Sequence, residues 1–208
     1  MALAKRARTY GGKSAAERDA ERRRRLLEAG LAIFGESGFG SSTIEGICRR
    51  AGVTARNFYD HFDSREALLG ALYEEITTEQ MDAVRGALER EVVDVESHVR
   101  GAMEAAIAMV EADERRARIA YIEIVGVSPE LERRRFEIMA AYHDLLDAYF
   151  ARLAERGLIP PRTRLTAIGV LGAAISLVEQ WLLDEDRPPL ADVLDEAVRI
   201  IVAAIVRA

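Results

Sequence analysis

Hydrophobic positions along the chain recur at intervals of three and four residues, and alternating β-branched runs of the kind a strand needs never last more than a few positions. The pattern predicts an all-α protein. The first helix starts at Ser14-Ala-Ala-Glu17, where a serine and a glutamate at this spacing can form a capping box. Leu27, Gly30, Leu31 and Phe34 continue at helical spacing until Gly35 and Gly38 stop the helix. Ser42-Thr-Ile-Glu45 reads as a second box, opening a short helix with Ile44, Ile47, Cys48 and Ala51 on one face and Gly52 at its end. Thr54 starts a third helix at once, with Val53 placed to staple against Phe58, and this helix runs only to about Phe62. Asp63 and Glu66 read as another capping pair, launching a long amphipathic helix through Leu69, Leu72, Tyr73, Ile76, Gln80 and Val84. Five more helices are expected near 94–112, 114–126, 129–157, 162–185 and 189–207, with Ser128-Pro129 and Pro188-Pro189 marking two of the starts.

Composition narrows the class. The 208 residues are 50% hydrophobic and 31% charged, with 15 Gly and 5 Pro, which fits an ordinary globular chain and excludes disorder and collagen-like repeats. The single cysteine, Cys48, allows no internal disulfide and suits a reducing compartment. His61, His98 and His143 lack metal-ligand spacing, so neither a metal nor a cofactor is expected. The basic start has no apolar segment behind it, and the longest mostly apolar run, Leu165 to Val178, falls short of the roughly 20 residues that a membrane helix needs. The expected location is the cytoplasm, with no membrane partner. Charge is uneven: residues 1–70 carry 13 Lys or Arg against nine acids, a net +4, so the rest of the chain holds -10 of the overall -6. A basic head on an acidic body fits a head that meets a polyanion, or a basic tail with no partner, and charge alone leaves both open.

Two short helices joined across Gly52 form a helix-turn-helix, in which the first supports and the second lies in the DNA major groove. Phe58 and Phe62, four residues apart, share a core face, which leaves Arg56, Asn57, Tyr59 and Asp60 opposite and Thr54 and Ala55 at the leading end. Arg can pair with guanine, Asn with adenine, and an aromatic edge can meet a thymine methyl or a phosphate. The run Arg22 to Arg25 would meet phosphates, which give affinity without sequence information. An enzyme is disfavoured because no G-x-S-x-G, Walker loop, metal-binding His pair or dinucleotide fingerprint occurs. A helical adaptor that binds protein through the same motif remains an alternative, separable by the steep salt dependence of DNA binding.

The match to a known pattern is longer than the motif alone. Arg25-Leu-Leu-Glu-Ala-Gly-Leu-Ala-Ile-Phe34, then Gly38-Phe39, Ser42-Thr43-Ile44, Ile47-Cys48, Ala51-Gly52-Val53-Thr54, Phe58-Tyr59-Asp60-His61-Phe62 and Ser64-Arg65-Glu66-Ala67-Leu68-Leu69 together resemble the TetR family of transcriptional regulators. The resemblance implies a basic arm and three-helix DNA-binding domain over 1–63 and a helical ligand-binding and dimerisation domain over 64–208. It also implies repression relieved by a small molecule. It carries Tyr59 and His61 onto the family's aromatic and histidine near the phosphates, Arg65 onto the place of a phosphate-binding lysine, and Thr43 onto a helix-start residue near the DNA backbone. With Thr54, Ala55, Arg56 and Asn57 these make the expected DNA-binding set. Cys48 stands where the family usually has alanine, and Arg56 and Asn57 replace smaller residues, so the operator sequence cannot be borrowed from relatives.

The body is read from patterning. From Leu165 to Val178 its penultimate helix is apolar nearly all round, kept thin by Gly169, Gly172, Ala173, Ala174 and Ser176, and such a helix must be covered on both sides. The last helix carries Val193, Ala197, Ile200 and Ala204 on one stripe and Leu194, Val198, Ile201 and Ile205 on the next. One stripe for the core and one for a second subunit predicts a four-helix homodimer interface like the family's, with Leu171, Ile175, Val178, Leu194, Val198, Ile201 and Ile205 as its candidate residues and the opposite stripe of Val193 and Ala197 left open as the partner face. A single domain whose core takes both helices is the alternative. Met103, Ile107, Met109, Tyr121, Phe136, Met139, Tyr142, His143, Leu146 and Trp181 form the candidate lining of a pocket for an apolar or aromatic effector, with Tyr121, Tyr142, His143 or Glu123 holding polar ends. The acidic body also leaves room for a cationic ligand. Two short reading helices on one dimer imply a double-stranded operator with an inverted repeat.

Overall fold

The computed structural model describes residues 14–206, and no strand occurs among them. The chain divides into two compact units between Leu72 and Tyr73, inside a helix and beyond the boundary expected after Asp63.

In the first unit, α1 (Ala15–Ser37) opens with the expected box: Ser14 Oγ accepts from the Glu17 amide at 3.1 Å, and Glu17 Oε2 accepts from the Ser14 amide at 2.5 Å. The next cap is displaced. Thr43 Oγ1, not Ser42, caps α2 (Ile44–Ala51), accepting from the Gly46 amide at 3.0 Å. Ser42 is unavailable because it is buried, donates to the Phe39 carbonyl at 2.7 Å and accepts from Arg65 at 2.9 Å. After α2 the chain turns through Gly52 at φ 64°, a left-handed conformation that favours glycine, and the Val53 amide reaches the Cys48 carbonyl at 3.0 Å. α3 (Ala55–Tyr59) follows, and amides of His61 and Phe62 on the Phe58 carbonyl, both at 2.9 Å, carry the coil on through Phe62. α4 (Arg65–Leu88) is capped by Ser64 Oγ on the Ala67 amide at 3.2 Å in place of Asp63. Asp and Ser both cap well, and spacing alone does not choose between neighbours.

Leu26, Phe34, Ile47, Phe58, Leu68 and Leu69 are fully buried in this unit. Gly30 lets α4 approach α1, since a Cβ there would lie 2.9 Å from Leu68 Cδ2. Cys48 is inside the same core, where burial and then the nearby Glu45 push its thiol up from the ordinary range, so it stays an inert filler.

The second unit comprises the rest of α4, α5 (Val95–Ala112), α6 (Glu114–Arg118), α7 (Pro129–Glu155), α8 (Arg164–Leu183) and α9 (Leu190–Val206). Asp94 caps α5 by accepting from the Ser97 amide at 2.8 Å, and Ser128 with Pro129 starts α7 as expected. The single helix expected over 114–126 is interrupted, because α6 widens into a π-helical turn over Ile119–Glu123. α9 packs against α5 and α8, and α8 against α7. The core is built from side chains such as Val84, Val99, Ile107, Phe150, Leu153 and Ile205.

The two apolar helices are not divided as the sequence pattern suggested. Val178, Val198, Ile201 and Ile205 are buried within the chain itself, Leu171 and Ile175 line an internal cavity, and Leu194 packs half-buried on the same core. The candidate dimer residues of α8 and α9 thus belong to an inner face. Both nominal stripes of α9 contribute, with Val193 and Ala197 also buried, since 3.6 residues per turn rotate adjacent i, i+4 rows into one broad face. On α8 the buried residues are Ala167, Val170, Val178 and Leu182, while Leu165, Ile168 and Leu183 are exposed at 75%, 42% and 57%. By length and composition α8 could cross a membrane, contrary to the shorter run counted from sequence, but its inner stripe is packed into the body.

Candidate DNA interface and ligand chamber

The reading helix is held by its own buried side. Phe58 has no exposed surface and meets Phe62 at 6.0 Å between ring centroids, which turns Ala55, Arg56, Tyr59 and Asp60 outward as expected. Tyr59 is 55% exposed with its ring edge-on to Phe58. Thr54 and Asn57 are tied to each other. Thr54 Oγ1 accepts from the Asn57 amide at 3.2 Å and donates to Asn57 Oδ1 at 3.0 Å, so the Asn57 side chain is folded back onto the helix start and half-buried. Thr43 is exposed, with its hydroxyl engaged in capping α2.

Two of the expected phosphate contacts face inward. The His61 side chain is only 6% exposed and lies 3.6 Å from Asp19 Oδ1 of α1. Its Nε2 makes no hydrogen bond with a described residue. Arg65 Nη1 donates to the Ser42 carbonyl, to Ser42 Oγ at 2.9 Å and to the Phe39 carbonyl at 3.3 Å, and the guanidinium lies 4.8 Å from the Phe39 ring centroid. Arg65 is therefore first a clamp between α4 and the turn before α2. Within the arginine run, Arg23 and Arg24 are exposed while Arg22 and Arg25 are half-buried, and Arg22 pairs with Asp19 at 3.0 Å. The residues before Ser14, including much of the expected basic arm, lie outside the described residues. Sequence reasoning passed over Arg49 and Arg50, which are exposed on the last turn of α2; their signal was the basic pair just before Gly52.

Within the body a cavity of about 120 Å³, partly open to solvent, is walled by apolar side chains of α4, α5, α7, α8 and α9. Of the candidate lining, Met103, Ile107, Tyr121, Tyr142 and Leu146 border it. Met139 instead borders a second chamber of about 240 Å³, whose lining includes Tyr73, Thr77, Arg135 and Glu179. Phe136 is 62% exposed beneath Arg135 and, like the half-buried His143 seven residues on, borders neither chamber. Trp181 also borders neither. Its indole donates to the Pro188 carbonyl at 2.8 Å under the Arg187 guanidinium, which forks onto Glu114 at 3.0 and 2.9 Å, so Trp181 anchors the turn between α8 and α9. Glu123 pairs with Arg118 at 3.4 Å.

The polar centre of the chamber is Gln80, which the expected lining omitted. Its amide donates to the Ala106 carbonyl and to the Tyr121 oxygen, both at 2.7 Å, and Tyr142 donates to its Oε1 at 3.1 Å. Burial raises the hydroxyl pKa values of Tyr121 and Tyr142, so both stay protonated at neutral pH. Tyr149, on the same chamber wall, donates to His98 Nδ1 at 2.8 Å, while His98 Nε2 faces the Arg90 carbonyl at 3.2 Å. That carbonyl can only accept, which puts the imidazole proton on Nε2. Among the described residues no three His, Cys, Asp or Glu side chains come together to hold a metal ion.

A helix-turn-helix with an outward reading face, on a chain whose helical body holds an apolar chamber, defines a DNA-binding regulator. Residues 26–72 match the bacterial regulatory proteins of the tetR family, and residues 93–205 match the MftR C-terminal domain. The chain belongs to the TetR family of transcriptional regulators; it is a ligand-responsive DNA-binding protein and not an enzyme. It is 28% identical to the transcriptional activator FasR of Mycolicibacterium smegmatis over 169 residues, 81% of this chain and 75% of FasR. It is 31% identical to the transcriptional regulator YvdT of Bacillus subtilis over 64 residues, 31% of this chain and 33% of YvdT, so that match spans about a third of the relative. The fold is that of FadR from Bacillus subtilis in complex with stearoyl-CoA, with a TM-score of 0.77 and 18% identity over 88% of this chain and 98% of FadR. It is also that of AibR in complex with isovaleryl coenzyme A and operator DNA, with a TM-score of 0.68 and 20% identity over 86% of this chain and 97% of AibR.

Proposed function

We propose that the chain is a cytoplasmic homodimeric repressor that binds an inverted-repeat operator and is released from it by a small, predominantly apolar effector. The observation that carries this reading is the apolar chamber, whose few polar groups converge on Gln80. Such a site binds the body of an apolar molecule and orients it through one or two hydrogen bonds. Acyl-CoA complexes of two proteins with the same fold support an acyl chain as one form of that body. Arg56 and Tyr59 of α3, with Ala55 at the leading end, would meet base edges, and Thr43, Arg23, Arg24, Arg49 and Arg50 would meet phosphates. The second copy would cover the outer stripe of α8, where Leu165, Ile168 and Leu183 are exposed and Gly169 and Gly172 leave room for close approach. Effector binding acts as a population shift, favouring a dimer whose two reading helices no longer fit successive major grooves.

The test is to select bound fragments from genomic DNA, then titrate the complex with stearoyl-CoA and isovaleryl-CoA at several salt concentrations. An inverted repeat, binding that weakens steeply with salt, and release by an apolar ligand are expected. Salt-independent binding or a non-repeating site would overturn the reading. FasR is an activator, and that relative favours a second reading with the opposite sign of regulation. A promoter reporter decides it: deletion of the regulator raises expression for a repressor and lowers it for an activator.

A further inference from the structure

The hydrogen-bond directions around Gln80 leave one proton over. A backbone carbonyl only accepts, so the side-chain atom 2.7 Å from the Ala106 oxygen is the amide nitrogen of Gln80. The second N–H of that amide is then directed to the Tyr121 oxygen, 2.7 Å away, and Oε1 on the other side accepts the Tyr142 proton at 3.1 Å. Tyr121 is thus an acceptor in this contact, and no described residue takes its own hydroxyl proton. The other polar groups on the wall of the first chamber are matched: both Gln80 N–H groups are used, Tyr142 donates to Gln80, and Tyr149 donates to His98, while Glu179, whose charge acts on Tyr121, lines the second chamber only. The π-helical turn places Tyr121 on the wall shared by the two chambers. Widened turns of this kind inside α-helices are frequent at functional sites, because they reposition one side chain without breaking the helix.

We propose that Tyr121 sets the specificity of the chamber by donating its hydroxyl proton to one carbonyl oxygen on an otherwise apolar effector. This rests on the reading of the chamber as the effector site. A carbonyl satisfies the leftover donor and brings no proton of its own that would need an acceptor among apolar walls. The same chemistry is offered by a ketone, an ester, a tertiary amide or a thioester, and the hydrocarbon of equal shape lacks it.

The experiment compares 2-decanone and acetophenone with decane and ethylbenzene, measuring dissociation constants on the full chain by NMR titration. The wild type is expected to prefer each ketone over its hydrocarbon. Tyr121→Phe, which keeps the ring, should cut that preference about tenfold while leaving hydrocarbon affinity unchanged. Tyr142→Phe, whose proton goes to Gln80, should keep the preference. In the wild type the Tyr121 Cζ resonance should shift with ketone and not with hydrocarbon, a readout that needs no variant to fold. An undiminished ketone preference in Tyr121→Phe, an unmoved Cζ resonance, or failure of all four probes to bind the wild type overturns the proposal. If the ketones bind through Tyr121 yet leave the DNA complex intact, the effector reading fails and the recognition by Tyr121 stands.

Discussion

Arg65 at the start of α4 donates to the Ser42 hydroxyl at 2.9 Å and to the Ser42 carbonyl, joining the beginning of one helix to the turn that precedes another. Ser42 is buried, so removal of the guanidinium leaves its oxygens without their charged donor. Arg65→Ala should therefore destabilise the first unit by about 1–3 kcal/mol and weaken binding to all DNA sequences alike. Arg65→Lys keeps the charge without the fork and should recover only part of the loss. Urea unfolding beside titrations on selected and random DNA checks both effects; an Arg65→Ala variant of unchanged stability would show that the clamp is not needed.

Arg56 and Asn57 separate reading from capping. Arg56 is exposed on α3, and Arg56→Ala should cost about 1–3 kcal/mol on the selected site with little change on random DNA or in stability. Asn57→Ala keeps the capping bond from the Asn57 backbone amide to Thr54 Oγ1 but removes the bond from Thr54 Oγ1 to Asn57 Oδ1, so it should lower stability as well, by about 0.5–1.5 kcal/mol. Equal losses on both DNAs for Arg56→Ala would remove it from the reading set.

How far the sequence could be read follows from the range of each interaction. Caps, the Gly52 turn and the burial of Phe58 are decided within a few neighbouring residues, so spacing alone locates them or misses by one position. Ser42 was misjudged because its hydroxyl answers to Arg65, 23 residues away, and His61 because it faces Asp19 of α1. The chamber depends on contacts between distant helices, and only part of its lining was visible. Gln80 did leave a signal, a polar residue in the apolar register of Leu69, Leu72, Tyr73, Ile76 and Val84. On α8 nearly every stripe is apolar, so composition could not say which one turns inward, whereas on α9 Asp192, Asp195, Glu196 and Arg199 mark the outer side and the two apolar rows make one face.

Alkaline pH tests the buried tyrosines. Burial pushes the Tyr73 hydroxyl up to about 12, above the value of about 10 expected in the unfolded chain. The folded state therefore holds this proton more tightly, and the stabilisation, complete below about pH 10, is lost as pH rises to about 12. Between those limits Tyr73 should contribute a slope of about -1.4 kcal/mol per pH unit to the unfolding free energy. Tyr73→Phe should flatten the curve in that window and leave it parallel below it. Identical slopes for variant and wild type from pH 10 to 12 would contradict the burial argument.

The outer side of α8 is where a second copy would pack under the proposed dimer. Leu165 is 75% exposed and Ile168 is 42% exposed, whereas Ile205 on α9 has no exposed surface. A charge at Ile205 would have to be buried among apolar side chains at a cost of several kcal/mol, so Ile205→Glu should unfold the body. Leu165→Glu and Ile168→Glu add charge to a face already in water in the single chain and should leave it folded. If that face pairs with its copy, both variants become folded monomers and lose the selected DNA site, because one short reading helix contacts too few base pairs for tight specific binding. Gly172→Leu sharpens the distinction: no heavy atom lies within 4 Å of a Cβ built there, so the single chain tolerates the larger residue while a closely approaching partner would not. Sedimentation with circular dichroism reads all four variants. Leu165→Glu and Gly172→Leu remaining dimeric and DNA-binding would place the partner on another face, and a wild-type monomer that binds the inverted repeat would remove the need for one.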